Sequence, residues 1–94
     1  MKIHRSIKVS GKVQGVFFRQ TAKEKALEYT IYGFARNDAN GTVFVEAEGE
    51  EDQVNKFIEW CKKGSDRAIV SHIEINDGVF KNFTSFTILK SNTF

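Results

Sequence analysis

Ninety-four residues suffice for one compact domain with a modest core and are too few for two. With 40% hydrophobic and 28% charged residues the composition excludes a disordered or membrane-spanning chain, and a net charge of +2 makes no electrostatic case for a nucleic-acid partner. The apolar runs are far too short to cross a bilayer, residues 1–10 alternate instead of forming a signal core, and a single cysteine, Cys61, has no internal disulfide partner; a cytoplasmic location with no membrane association is therefore expected.

In chain order, Ile3, Ile7 and Val9 alternate with His4, Ser6, Lys8 and Ser10, the two-residue period of a half-buried strand that ends at Gly11. Residues 11–17 read as loop. Phe18, Ala22, Ala26 and Tyr29 then recur at about four-residue steps, which predicts an amphipathic helix. A second strand runs through Tyr32, Phe34 and Arg36, and the Asn40-Gly41 turn joins it as a hairpin to a strand over 42–48. Val54, Phe57, Ile58 and Cys61 fall at i, i+3, i+4 and i+7 of a second helix stopping near Gly64. Strands over 69–75 and 83–89 follow, separated by an Asn76-Asp77-Gly78 turn.

This order predicts an α+β fold: a split βαβ, ferredoxin-like sandwich, βαββαβ plus a C-terminal strand, with two helices on one face of an antiparallel sheet. Right-handed crossovers make the first and second strands parallel, with another strand between them. Their C-terminal ends then share one edge, which brings the loop before Arg19 and the Arg36-Asn37 region to the same end of the molecule.

That loop, Lys12-Val13-Gln14-Gly15-Val16-Phe17-Phe18-Arg19, leads straight into a helix whose first turn has unpaired N–H groups. Successive loop amides and the positive end of the helix dipole favour an anion such as phosphate, and the planar fork of Arg19 can hold two phosphate oxygens at once. Spacing alone leaves open that Gly11 and Gly15 only shape a tight turn and that Arg19 decorates the surface.

At these residues the chain resembles the acylphosphatase family. The run from Val9 to Arg19 matches the family's first signature, and Gly33-Phe34-Ala35-Arg36-Asn37 with Gly41, Val43 and Gly49 matches the second. The resemblance covers nearly the whole chain, read as one domain over 1–94, and implies the same split sandwich. It implies that Arg19 binds phosphate, that amides from Gln14 through Gly15, Val16 and Phe17 to Phe18 line the cradle, and that Asn37 holds the attacking water. The implied activity is hydrolysis of a small-molecule or protein acyl phosphate by a monomer, with no cofactor and no metal, and with inorganic phosphate or sulfate as competing anions.

Such chemistry suits few residues. A carboxylate leaving group has a conjugate-acid pKa of about 4 to 5 and departs without a general acid. A loose phosphoryl-transfer transition state asks mainly for positioning and for charge stabilisation at the equatorial oxygens. An amide side chain is no base at neutral pH, so Asn37 supplies orientation only. The sequence departs from the family pattern at Tyr29-Thr30, where relatives often have Leu-Gly, at Ser65, where many have proline, and in the tail from Lys90 to Phe94; the first two are expected to lie away from the site.

His4 and His72 read as solvated, as do Glu46, Glu48, Glu50 and Glu51. Cys61 reads as a small buried hydrophobe, most of the nine phenylalanines as core, and Arg36 as either a surface charge or a weak second anion contact. Two other readings compete with hydrolysis. The same signatures mark non-catalytic or carbamoyl-phosphate-handling domains inside larger maturation proteins, against which the short chain argues. RNA-binding modules share the topology, but this chain lacks their aromatic strand motifs.

Overall fold

The computed structural model describes residues 1–90; the tail beyond Lys90 lies outside the described residues. The elements are β1 (Lys2–Lys12), α1 (Phe18–Glu28), β2 (Tyr32–Asn37), β3 (Val43–Glu50), α2 (Glu51–Lys63), β4 (Ile69–Asp77) and β5 (Phe86–Ile88). The split sandwich is present, with strand order β4-β1-β3-β2-β5. Strand β3 pairs antiparallel with both β1 and β2, which makes those two parallel to each other. Strand β5 pairs in parallel with β2, so the sheet is mixed rather than wholly antiparallel. The reason is that the chain leaves β4 at one edge and must cross to the other, where it arrives running in the direction of β2.

Alternation along β1 and β3 sends Ile7, Val9, Val43, Val45 and Ala47 into one core with Phe18, Ala22 and Ala26 of α1 and Val54, Phe57, Ile58 and Cys61 of α2. Full burial of each larger side chain is worth about 1.5–3 kcal/mol. Burial also pushes the Cys61 thiol far up, which keeps it protonated and inert, as its place on the apolar stripe suggested. The hairpin turn closes as expected, Asp38 N–H donating to the Thr42 carbonyl at 2.9 Å and Gly41 N–H to the Asp38 carbonyl at 3.1 Å.

Strand β1 does not stop at Gly11 but continues to Lys12 across a bulge between Ser10 and Gly11. Gly11 has φ +123°, and a Cβ there would run into the Ile69 carbonyl of β4, so a side chain is excluded by both conformation and space. Nor do residues 76–78 form a turn: β4 runs on through Asp77, and residues 78–85 make a strap across the sheet face opposite the helices. The last strand is correspondingly short, beginning at Phe86 rather than at residue 83.

The strap overturns the solvated reading of His4 and Glu48. His4 is 4% exposed and Glu48 1% exposed. The His4 ring lies between two carboxylates, with Nδ1 2.7 Å from Glu48 and Nε2 3.1 Å from Glu46, and Lys81 Nζ reaches Glu46 at 2.9 Å. Glu48 also accepts the backbone N–H of Lys81 and, at 2.8 Å, that of Phe83. His72, by contrast, is exposed as expected. The phenylalanines divide likewise. Among the described residues only Phe18, Phe57 and Phe86 are buried, while Phe34 meets Phe83 edge-on at 5.9 Å under the strap.

Burial alone would raise the Glu48 pKa, but the Lys81 amide, the His4 ring and the Phe83 amide outweigh it and hold the carboxyl below its ordinary 4.5. A group with a depressed folded-state pKa stabilises the fold fully above its unfolded pKa and loses that contribution as pH falls through the folded value. We therefore expect Glu48→Gln to lower the unfolding free energy by about 2–3 kcal/mol at about pH 7, since it replaces an acceptor of charge-assisted bonds with a group that points N–H at N–H. The gap between variant and wild type should close in acid, below the folded pKa. Urea unfolding at the two pH values checks this, and a pH-independent gap would mean that the Glu48 charge is not what anchors the strap.

Candidate active site

Because β1 and β2 run in parallel, the loop that leaves β1 and the last residue of β2 meet at one sheet edge. There they border a cavity of about 350 Å³, lined by Val13, Gly15, Phe17, Phe18, Arg19 and Gln20 from the loop and α1, Asn37 from the end of β2, and Ile88 from β5. The structure thus brings together the two residues singled out from opposite signatures, Arg19 and Asn37.

The loop carries a row of free donors. Among the described residues, none of the backbone N–H groups from Gln14 to Arg19 donates to another residue. Helix α1 begins with no side-chain cap and no acidic residue in its first turn, whereas α2 has Glu51 and Asp52 at the same place. The positive end of the α1 dipole is left uncompensated by the protein. The residue before the helix, Phe17, is 74% exposed and left-handed at φ 62°, ψ 25°. That conformation costs an L-residue about 1–2 kcal/mol, and an exposed side chain recovers little of it by packing.

Three side chains fix the surroundings of these donors. Gln14 does not turn its side chain to the cavity; its Nε2 donates to the Asp38 carbonyl at 2.8 Å and the Thr42 carbonyl at 2.9 Å, tying the loop to the β2–β3 turn. Arg19 is half-buried and donates from Nη1 to the Leu89 carbonyl at 3.0 Å, which orients its fork at the rim. Ser65, expected to lie away from the site, is buried and donates its hydroxyl to the Val16 carbonyl at 2.7 Å. Nothing in the sequence pairs it with a loop residue 49 positions away. Tyr29 and Thr30 do lie at the other end of α1.

The remaining predicted loop residues take distinct places. Val16 and Phe18 are buried in the core, Phe18 alone of the two also bordering the cavity, while Gly15 is exposed. Arg36 does not line the cavity. Its Nε pairs with Asp38 at 2.9 Å and its guanidinium lies 4.6 Å from the Phe44 ring centroid, so the charge is already committed.

Asn37 stands out electrostatically. Its Oδ1 is buried and, among the described residues, is the buried side-chain polar atom without a hydrogen-bond partner. An unsatisfied buried acceptor costs about 1–3 kcal/mol. We expect Asn37→Ala to leave stability unchanged or raise it slightly, because the substitution removes a group whose bonding potential the folded protein leaves unmet. Thermal unfolding checks this, and a loss of several degrees would show that Asn37 is structural.

A protein-family model described as Acylphosphatase matches residues 5–88. The acylphosphatase of Syntrophus aciditrophicus (strain SB) is 42% identical over 82 residues, covering 86% of this chain and 85% of its own length. The solved structure of an acylphosphatase from Coxiella burnetii superposes with a TM-score of 0.90 at 34% identity, covering 94% of this chain and 93% of that one. Full-length HypF, solved in a phosphate- and nucleotide-bound form, superposes with a TM-score of 0.89 at 28% identity, over 98% of this chain but 12% of that protein. The loop of free amides, the helix it opens and the strand that ends in Asn37 all lie within the matched span, and the chain belongs to the acylphosphatase family.

Proposed function

We propose that this protein hydrolyses acyl phosphates to carboxylate and inorganic phosphate without a metal, using Arg19 and the loop amides to hold the phosphoryl group and Asn37 to orient water. The observation that carries this reading is that Asn37, whose buried Oδ1 has no partner among the described residues, lines the same cavity as Arg19 and the free-amide loop. Donors line one part of the site for an anion, and a lone acceptor stands ready for a nucleophile.

In the proposed step, Arg19 and the amides of Gln14, Gly15, Val16, Phe17 and Phe18 bind the non-bridging phosphoryl oxygens, whose charge they stabilise in the transition state. A water donates one hydrogen to Asn37 Oδ1 and presents its lone pair to phosphorus. The new O–P bond forms as the bond from phosphorus to the acyl oxygen breaks, and the electron pair leaves on the carboxylate. The water's proton passes to the phosphate, since the Asn37 amide cannot accept it. Within this reading residues 1–94 act as one cytoplasmic, monomeric domain on a small-molecule or protein acyl phosphate, and inorganic phosphate or sulfate competes at the cradle.

The likeness to HypF supports a second reading, a domain of this fold serving a larger protein, but higher identity to the S. aciditrophicus acylphosphatase, 42% against 28%, favours the hydrolase. The RNA-binding reading fares worse. The strap lies over the sheet face that such a module would leave open, and Glu46 and Glu48 lie beneath it.

The deciding experiment measures hydrolysis of a simple acyl phosphate with and without EDTA. Full turnover in EDTA is expected; complete loss with rescue by Mg²⁺ would overturn the mechanism. On the same preparations, Asn37→Ala should lower kcat by on the order of a hundredfold while leaving inorganic phosphate affinity nearly unchanged. Arg19→Lys should weaken phosphate binding by about tenfold or more, because an ammonium cannot reproduce the two-point contact.

A further inference from the structure

We infer that Ser65 is a positioning residue for the anion cradle: its hydroxyl locks the Val16–Phe17 peptide in the orientation that presents the Phe17 N–H to phosphate. The inference rests on the phosphate-binding reading of the loop.

The geometry follows from one hydrogen bond. Ser65 sits in the link between α2 and β4, its own backbone held by a turn in which Ala68 N–H donates to the Ser65 carbonyl at 2.9 Å. From there its buried hydroxyl donates to the Val16 carbonyl at 2.7 Å. In a trans peptide the C=O and the following N–H point in opposite directions, and the chain has no cis peptide bonds among the described residues. With the Val16 carbonyl drawn inward to Ser65, the Phe17 N–H faces outward, to the side on which Phe17 borders the cavity. That N–H has no partner among the described residues.

The lock works against a local preference. Rotating the Val16–Phe17 peptide by half a turn would take Phe17 from φ 62° to about −120°, out of the left-handed region that costs an L-residue most. The flipped peptide would aim the Val16 carbonyl at the cavity and withdraw the amide, replacing a donor to phosphate with a repelling acceptor. The unflipped state keeps Phe17 strained, and the Ser65 hydroxyl is the side-chain contact that holds it there. Removing the hydroxyl leaves a buried carbonyl without a donor as well as a strained φ, and both are relieved by the flip.

Backbone amide NMR of the full-length protein during titration with inorganic phosphate, together with acyl phosphate turnover, tests this. In the wild type the Phe17 amide resonance should move as phosphate binds. In Ser65→Ala that response should be lost, and phosphate affinity and kcat should each fall by about tenfold, in line with the loss of one buried hydrogen bond. Ser65→Thr, which keeps the hydroxyl, should restore all three. Ser65→Ala with an unchanged Phe17 response and unchanged phosphate affinity would overturn the inference. So would a wild-type Phe17 amide indifferent to phosphate in a protein that hydrolyses acyl phosphate at full rate, a result that leaves the hydrolase standing. A wild type that binds phosphate through the Phe17 amide but turns over no acyl phosphate would count against the hydrolase and leave the role of Ser65 in the cradle intact.

Discussion

The site depends on the antiparallel pairing of β3 with both of its neighbours. One strand inserted between β1 and β2 forces those two to run the same way, and their C-terminal ends then share an edge. The residues proposed to bind and orient are attached to that edge: the loop that continues β1, the helix it opens, and Asn37 as the last residue of β2. Parallel strands with right-handed crossovers also place both helices on one face, and Val13, Val16 and Phe18 anchor the edge loop in the core beneath them. Side chains at this edge, Gln14 and Ser65 among them, hold the loop in place, while among the described residues the loop amides and Asn37 Oδ1 leave hydrogen-bonding capacity unused.

That unused capacity is unevenly signed. The loop offers donors, with an uncapped helix behind them, and the opposite strand end offers one buried acceptor. Neither the first turn of α1 nor the cavity lining contains a carboxylate to neutralise the donors. Asp38 beside Asn37 is paired with Arg36, and at the far end of the sheet Glu46 and Glu48 hold His4, Lys81 and the strap. The separation has a physical logic. A buried carboxylate near the cradle would repel phosphate, whereas one fully satisfied by amides and a histidine at the other end stabilises the chain's long crossing between sheet edges.

Periodicity revealed most of this architecture, because a helix or strand with one buried face imprints that face on its own residues. The apolar stripe of α2 and the alternation of β1 and β3 are local signals, and the topology rules then bring Arg19 and Asn37 together without further information. What stayed hidden is what depends on a partner distant in sequence. His4, Glu46 and Glu48 sit on the polar face of their strands, and alternation cannot say whether something later in the chain will cover that face. Residues 78–85 do, and their backbone amides satisfy Glu48 without leaving a mark in side-chain pattern. Ser65 escaped for the same reason: a serine after a helix-ending glycine looks like ordinary turn chemistry, and only the fold places its hydroxyl under Val16. Arg36 was legible as a cation but not as one already paired, since Asp38 two residues on could equally have faced solvent.

The central claim is that water, oriented by Asn37, attacks phosphorus rather than the acyl carbon, which hydrolysis in ¹⁸O-labelled water tests directly. Attack at phosphorus in the cradle predicts that the label appears in inorganic phosphate and that the released carboxylate is unlabelled. Label recovered in the carboxylate would place the attack at the acyl carbon and contradict the proposed roles of Asn37, Arg19 and the loop.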